Sequence, residues 1–217
     1  MTSFHVSPGG SALTFDISPT LRCEKRSVSD YDNNSYLVLP ADGDAILVDA
    51  PANPQLILDW IGARRVSTVV TTHRHPDHVQ ALAAVVQALG ATALCGAPDA
   101  DAIERATGVT QHRVWTGETI ACGATALPVL GLVGHTPGSI ALVLPGTPAH
   151  VLVGDALFPG GVGKTATAAD FNSLLDDVQH HLFDRFPDAT VIHPGHGDAT
   201  TLGVERPHLE QWRARAW

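Results

Sequence analysis

The sequence predicts an α+β fold, with residues 1–217 forming one domain, and three observations carry that expectation. The chain is 44% hydrophobic, enough for one substantial core and too short for two. Short β-rich runs alternate with amphipathic stretches, with no linker, low-complexity tract or fixed-period repeat between them. Histidine occurs twelve times and bunches in loops at the ends of strand-like runs, as in sites held by a rigid sheet.

In chain order, SALTFDI, NSYLVL and DAILVDA are β-rich runs separated by Asp, Asn, Gly and Pro, which predicts an antiparallel meander. Asn53 can cap a helix that starts at Pro54 and runs through LILDWIG to Gly62. The β-branched run VSTVVTT, residues 66–72, has the character of a buried strand and ends at His73. Asp77 stands near the start of an Ala- and Val-rich helix that continues through Leu89 and stops at Gly90. Next come ATALCG as strand, APDADAIERAT as helix, and three strand-like runs, ATALPVLGL, SIALVLP and HVLVGD. Residues 169–186 read as an amphipathic helix, with Leu174, Leu175, Val178, Leu182 and Phe186 at helical spacing. TVIH is the last strand and delivers a loop of Pro, Gly and His.

Asp and Glu outnumber Lys and Arg by 22 to 13, a formal charge of -9, so the surface repels phosphate backbones and nucleic acid is not an expected partner. No run approaches the roughly 18 apolar residues of a membrane span. The N-terminus MTSFHVSPGGSALTF lacks a basic stretch followed by an apolar one, so a cytoplasmic protein with no membrane partner is expected. Cys23, Cys95 and Cys122 are odd in number and widely spaced, and read as buried small hydrophobes rather than disulfides or a thiolate zinc site. No feature of the sequence sets an oligomeric state.

The chemistry concentrates in His73-Arg74-His75-Pro76-Asp77-His78. Imidazole nitrogen and carboxylate oxygen are the ligands shared by divalent zinc, iron and manganese. His73 and His75 alternate, so on an extended stretch they project to one side, while Asp77 and His78, past the Pro76 turn, can aim at a neighbouring ion. Four ligands do not fill two sites, and later strand ends offer three more: His135 in Gly-His-Thr-Pro-Gly, Asp155 at the end of HVLVGD, and His196 in Pro-Gly-His-Gly. Glycines flank both histidines and let the backbone approach closely. His193 neighbours His196 and is read as packing or as a support behind the ligands. His180 and His181, with His5, His112, His150 and His208, are read as solvated or capping. Gly160 to Thr165 is no phosphate loop, because Phe158 stands where that motif needs Gly.

These residues resemble the metallo-β-lactamase-fold hydrolases, especially their single-domain glyoxalase II-like branch. The likeness runs from Asn34-Ser35-Tyr36-Leu37-Val38 with Val48-Asp49-Ala50, through the metal motifs, to Pro194-Gly195-His196-Gly197. It implies a four-layer αβ/βα sandwich of two mixed sheets flanked by helices, with the metals at one edge of the sheets. It also implies two divalent ions, zinc before iron or manganese: one on His73, His75 and His135, the other on Asp77, His78 and His196, with Asp155 bridging. Asp49 is implied to accept a ligand's ring N–H. Asp155 sets the chain apart from true β-lactamases, which generally lack this carboxylate, and points to thioester hydrolases, lactonases and sulfur dioxygenases.

Lys164, one of only two lysines, follows Gly154 to Gly163 as a basic residue follows the like segment of glyoxalase II, and is read as a substrate contact. Thr-Ala-Thr-Ala then replaces the aromatic expected there, and the end at Trp217 leaves no room for a helical C-terminal domain, which argues against glutathione itself. The expected activity is hydrolysis of a small thioester or related ester by a metal-bridging hydroxide, with Asp77 and Asp155 in the catalytic centre. The alternatives are a mononuclear-iron persulfide dioxygenase using His73, His135 and Asp155, a lactonase, and a metal-binding protein without turnover.

Overall fold

Strands β1 (Leu13–Ser18), β2 (Leu21–Ser27), β3 (Asn34–Pro40) and β4 (Ala45–Val48) form the antiparallel meander expected at the start. They are described here from a computed structural model covering residues 4–215. Residues 1–3 and 216–217 lie outside the described residues, including the Trp217 terminus and the first residues of the N-terminal stretch read above for a leader. After α1 (Pro54–Ile61) the chain forms β5 (Val66–Thr71), α2 (Pro76–Val79), α3 (Leu82–Leu89), β6 (Thr92–Gly96), α4 (Ala100–Thr107) and β7 (His112–Val114). Strands β4 to β7 pair in parallel, so the first sheet is mixed and seven-stranded, in sequence order.

The second sheet takes β8 (Thr119–Cys122), β9 (Thr125–Gly131), β10 (Ile140–Leu144) and β11 (His150–Gly154). A hairpin, β12 (Leu157–Phe158) with β13 (Gly161–Val162), and helix α5 (Ala168–Val178) intervene before β14 (Val191–Pro194), β15 (Thr200–Thr201), α6 (Leu202–Glu205) and α7 (Leu209–Arg215). Its order is β15-β14-β11-β10-β9-β8, with β11 and β14 parallel and the other pairs antiparallel. Among the described residues no helix is long and apolar enough to cross a membrane.

The alternation of side chains along each strand builds the layers. Val38, Ile46 and Val48 point inward against Ile140, Leu142 and Leu144 of the other sheet, and together they form the core between the sheets. Their neighbours Leu37, Ala45 and Leu47 point outward, where Ile57 and Trp60 of α1, Leu82 and Val85 of α3, and Ile103 of α4 cover them. On the far side Ala141, Val143, Val151 and Val153 are covered by Phe171, Leu174, Leu175 and Val178 of α5 and by Trp212. Both sheets are thus buried on both faces, which is why β4, β10 and β11 read as continuous apolar runs. This is the expected four-layer αβ/βα arrangement.

Three local readings need correction. Strand β2 escaped the sequence reading because two of its four inward positions are polar: Lys25 and Ser27 are buried beside Leu21 and Cys23. The Lys25 ammonium survives burial by donating to the carbonyls of Phe4 at 2.8 Å and Gly197 at 2.5 Å. The helix expected from Asp77 to Leu89 breaks between Val79 and Leu82. There the Ala81 amide bonds the Ala50 carbonyl at 3.0 Å, while the Asp77 carbonyl it would otherwise use accepts from Asn33 Nδ2 at 3.0 Å. The helix expected over 169–186 ends at Val178 and gives way to a π turn, Gln179–Phe183.

Candidate metal centre

The loops that carry the seven predicted ligands leave the carboxyl ends of four strands: β5 for His73 to His78, β9 for His135, β11 for Asp155 and β14 for His196. Packing the two sheets face to face brings these ends to one edge. There the ligand atoms of His73, His75 and His135 lie within 4.8 Å of one another, as do those of Asp77, His78 and His196, and those of His73, His78 and Asp155. All seven residues meet, in two groups with Asp155 between them. Its Oδ1 is 3.4 Å from His78 Nε2, and its Oδ2 is 3.6 Å from His135 Nε2 and 3.5 Å from His196 Nε2.

Four of the five imidazoles are oriented through Nδ1. His78 Nδ1 donates to Asp49 Oδ2 at 2.9 Å, His135 Nδ1 to the Lys164 carbonyl at 2.7 Å, and His196 Nδ1 to the Tyr31 carbonyl at 2.9 Å. His73 Nδ1 donates to the Thr72 hydroxyl at 3.1 Å, which donates in turn to Asp49 Oδ2 at 2.8 Å. These acceptors fix the proton on Nδ1 and leave the Nε2 lone pair facing the centre. The lone pairs converge, with Nε2 of His73 and His135 3.3 Å apart and those of His78 and His196 3.2 Å apart. Lone pairs at such distances repel unless a cation lies among them, and Asp155 Oδ1 is buried with no hydrogen-bond partner. The donor set therefore fits two divalent cations of the imidazole- and carboxylate-binding kind.

The electrostatics agree. Burial pushes His78 down, but Asp49, Asp155 and Asp77 outweigh it and raise the ring's pKa to about 9, so this pocket favours a positive charge at Nε2, whether a proton or a metal cation in its place. Burial, then the neighbouring imidazoles, keep His73 well below its usual value, which keeps that ring neutral. Burial also pushes Asp77 up, but His78, Asn33 and His196 outweigh it and the carboxyl lies below its usual range.

Other readings fare differently. Asp49 takes the ring N–H of His78, and its φ of 61° turns the chain as β4 ends. His193 bonds none of the seven ligands: it is fully buried, bonded to His150 at 2.8 Å and stacked on Phe15. His150, read as solvated or capping, is 5% exposed, because its partner His193 lets it be buried neutral. His5 pairs with Asp198 at 2.5 Å. The Lys164 side chain is exposed.

The sequence reading missed Asn33, whose Nδ2 donates to Asp77 Oδ2 at 3.2 Å and lies 3.3 Å from His196 Nε2. It also missed Asp99. This buried carboxylate takes the Arg74 amide at 3.0 Å, the Thr136 hydroxyl at 2.6 Å and the Gly138 amide at 3.0 Å. It ties the His73–His78 loop to the His135 loop. An acidic residue early in a helix gave no signal of this, whereas Asn33, next to the Asn34 motif, could have been found from its position.

A two-sheet α+β sandwich with clusters of His and Asp at the strand ends defines the class of protein to which this chain belongs. The chain belongs to the metallo-beta-lactamase superfamily, whose family model matches residues 28–200. It is 36% identical over 174 residues to a hydroxyacylglutathione hydrolase of Anaeromyxobacter dehalogenans, a match that covers 76% of this chain and 61% of the relative. The chain spans about three fifths of the length of the curated relatives it matches first. The crystal structure of TTHA1623 in a di-iron-bound form superposes with a TM-score of 0.67 at 30% identity, covering 84% of this chain and 96% of that one. ETHE1 from Myxococcus xanthus superposes with a TM-score of 0.71 at 27% identity, covering 85% and 81%.

Proposed function

We propose that the protein, read as one domain over residues 1–217, is a dinuclear metal-dependent hydrolase of small thioesters or related esters. The observation that carries this is the pair of donor groups, His73, His75 and His135 against Asp77, His78 and His196, with Asp155 facing both. The hydroxyacylglutathione hydrolase relative supports thioester chemistry, and the di-iron form of TTHA1623 supports two ions, with zinc, iron and manganese all compatible with the ligands. When bound, two such cations supply a hydroxide near neutral pH and polarise a carbonyl oxygen.

The residues of the chain do the rest. Asp49 holds His78 directly and His73 through Thr72, so the ligand atoms are set before substrate arrives. Asn33 donates a hydrogen bond to the Asp77 carboxylate and limits its swing. Two clefts of about 330 Å³ flank the centre, one lined by Arg74, His135 and Pro137, the other by Tyr31, Asn33 and Asp77. Volumes of that size suit the acyl and thiol parts of a small substrate. Lys164 leaves the chain where its own carbonyl holds His135, and its ammonium is assigned to an anionic group of the thiol carrier.

The persulfide dioxygenase reading uses only His73, His135 and Asp155 and gives the converging Asp77, His78 and His196 no task. Buried free cysteines, all three of them, suit a reducing cytoplasm. The test is metal content after purification without added metal, with a thioester panel comparing glutathione, coenzyme A and other thiol carriers. Two ions per chain with thioester turnover, abolished in His73→Ala, is the expected result. One iron per chain with oxygen uptake on a thiol persulfide would overturn the reading.

A further inference from the structure

Away from the candidate metal centre lies a cavity of about 510 Å³, larger than either cleft beside that centre. Its walls are mainly apolar, from Phe4, Pro148, Pro159, Val191 and Val204, and one ring nitrogen base, His150, stands among them. His150 is 5% exposed and its orientation is fixed. Phe15 stacks on it at 5.4 Å with an interplanar angle of 19°, and Phe4 meets it edge-on.

The proton on this ring can be placed. Nδ1 of His150 is 2.8 Å from Nε2 of His193, so one proton lies between them. Nδ1 of His193 is buried and has no partner. If His150 were the donor, His193 would carry its own proton on that orphaned Nδ1, a buried N–H with no acceptor. If His193 is the donor, only a lone pair is left unmet there, and buried orphan donors are the rarer case. His193 therefore donates and His150 Nδ1 accepts. His150 then carries its proton on Nε2, which takes no partner among the described residues on a ring that lines the cavity.

Burial pushes His150 down to about 4, so the ring is neutral at physiological pH and offers a donor without charge. The other ionisable group in the wall, Glu205, is 2% exposed. Its carboxylate is occupied by the Gly160 amide at 2.9 Å and the Thr200 hydroxyl at 2.6 Å, and its charge opposes an anion. We propose that this cavity binds a small, largely apolar, uncharged molecule with one hydrogen-bond acceptor, a ketone or ester oxygen, taken by the Nε2–H of His150. This does not depend on the function assigned to the metal centre.

The test is a titration of the metal-loaded, 15N-histidine-labelled protein with 2-octanone, read from long-range proton–nitrogen spectra, with octanoate as the charged counterpart. The proposal expects His150 protonated on Nε2, a saturable shift of that nitrogen with the ketone, and weaker binding of octanoate. Val204→Trp, which fills the cavity from its 44% exposed position, should weaken the ketone about tenfold or more. His150→Phe keeps the stack with Phe15 and should also weaken it. No saturable shift up to the solubility limit, a shift undiminished in Val204→Trp, a proton on Nδ1, or octanoate binding as tightly as the ketone would overturn the proposal.

Discussion

Asp49 and His78 meet where β4 ends: Oδ2 of Asp49 accepts from His78 Nδ1 at 2.9 Å and, from the other side, the Thr72 hydroxyl at 2.8 Å. Thr72 in turn accepts from His73 Nδ1, so one carboxylate sets the tautomer of a histidine in each donor group. Asp49→Asn keeps the shape but can present an N–H where an acceptor is needed. Metal affinity should fall about ten- to hundredfold at the centre. Competition against a chromophoric chelator measures it, and unchanged affinity would remove Asp49 from the role.

Gly195 packs against two of the candidate ligands, Asp155 and His78. A Cβ there would overlap Asp155 Oδ1 and come within 2.6 Å of His78 Cε1. Gly195→Ala should therefore lose metal and activity together while the circular dichroism of the fold persists. A variant that keeps its full metal complement would show that the two ligands can yield.

Asp99→Ala leaves the Arg74 amide, the Gly138 amide and the Thr136 hydroxyl without their shared acceptor in a buried place. Breaking a buried charged network costs about 3 kcal/mol. The urea midpoint should drop accordingly, and turnover should drop with it because the two ligand loops are no longer tied. A loss under 1 kcal/mol, about the worth of an exposed pair, would mean that water replaces the network.

His150 and His193 contribute an acid sensitivity that does not involve the candidate metal ligands. Burial pushes both down, His150 to about 4, so the unfolded chain binds protons at these sites more readily than the folded one. Their contribution to stability is whole above the ordinary histidine value of about 6.5 and is lost as pH falls from there toward about 4. Urea midpoints at a series of pH values should show this decline. In a His150→Phe, His193→Leu double variant the decline should be shallower; an identical slope would assign it to other groups.

The Asp77 carboxylate, the five imidazoles and Asp155 were legible in the sequence because their motifs are local and each follows a recognisable strand. The helix from Pro54 with its Asn53 cap and Gly62 stop was legible for the same reason: capping chemistry acts within one turn. Strand β2 was not, because Lys25 and Ser27 occupy inward positions, and the Lys25 ammonium is made tolerable there by carbonyls 21 and 172 residues away.

Residue order and spacing were enough for the alternating elements and for the seven candidate metal-binding side chains, which are properties of short segments, while their division into two groups rested on the likeness to the metallo-β-lactamase-fold hydrolases. Contacts across the fold decided most of what orients those side chains. The acceptors of His135 and His196 are the carbonyls of Lys164 and Tyr31, backbone groups present at every residue and invisible as side-chain identities. Asp99 reaches loops 25 and 37 residues away, and the burial of His150 depends on a partner 43 residues further on. Packing of the two sheets sets those distances, and with them which nitrogen of each histidine is free to act.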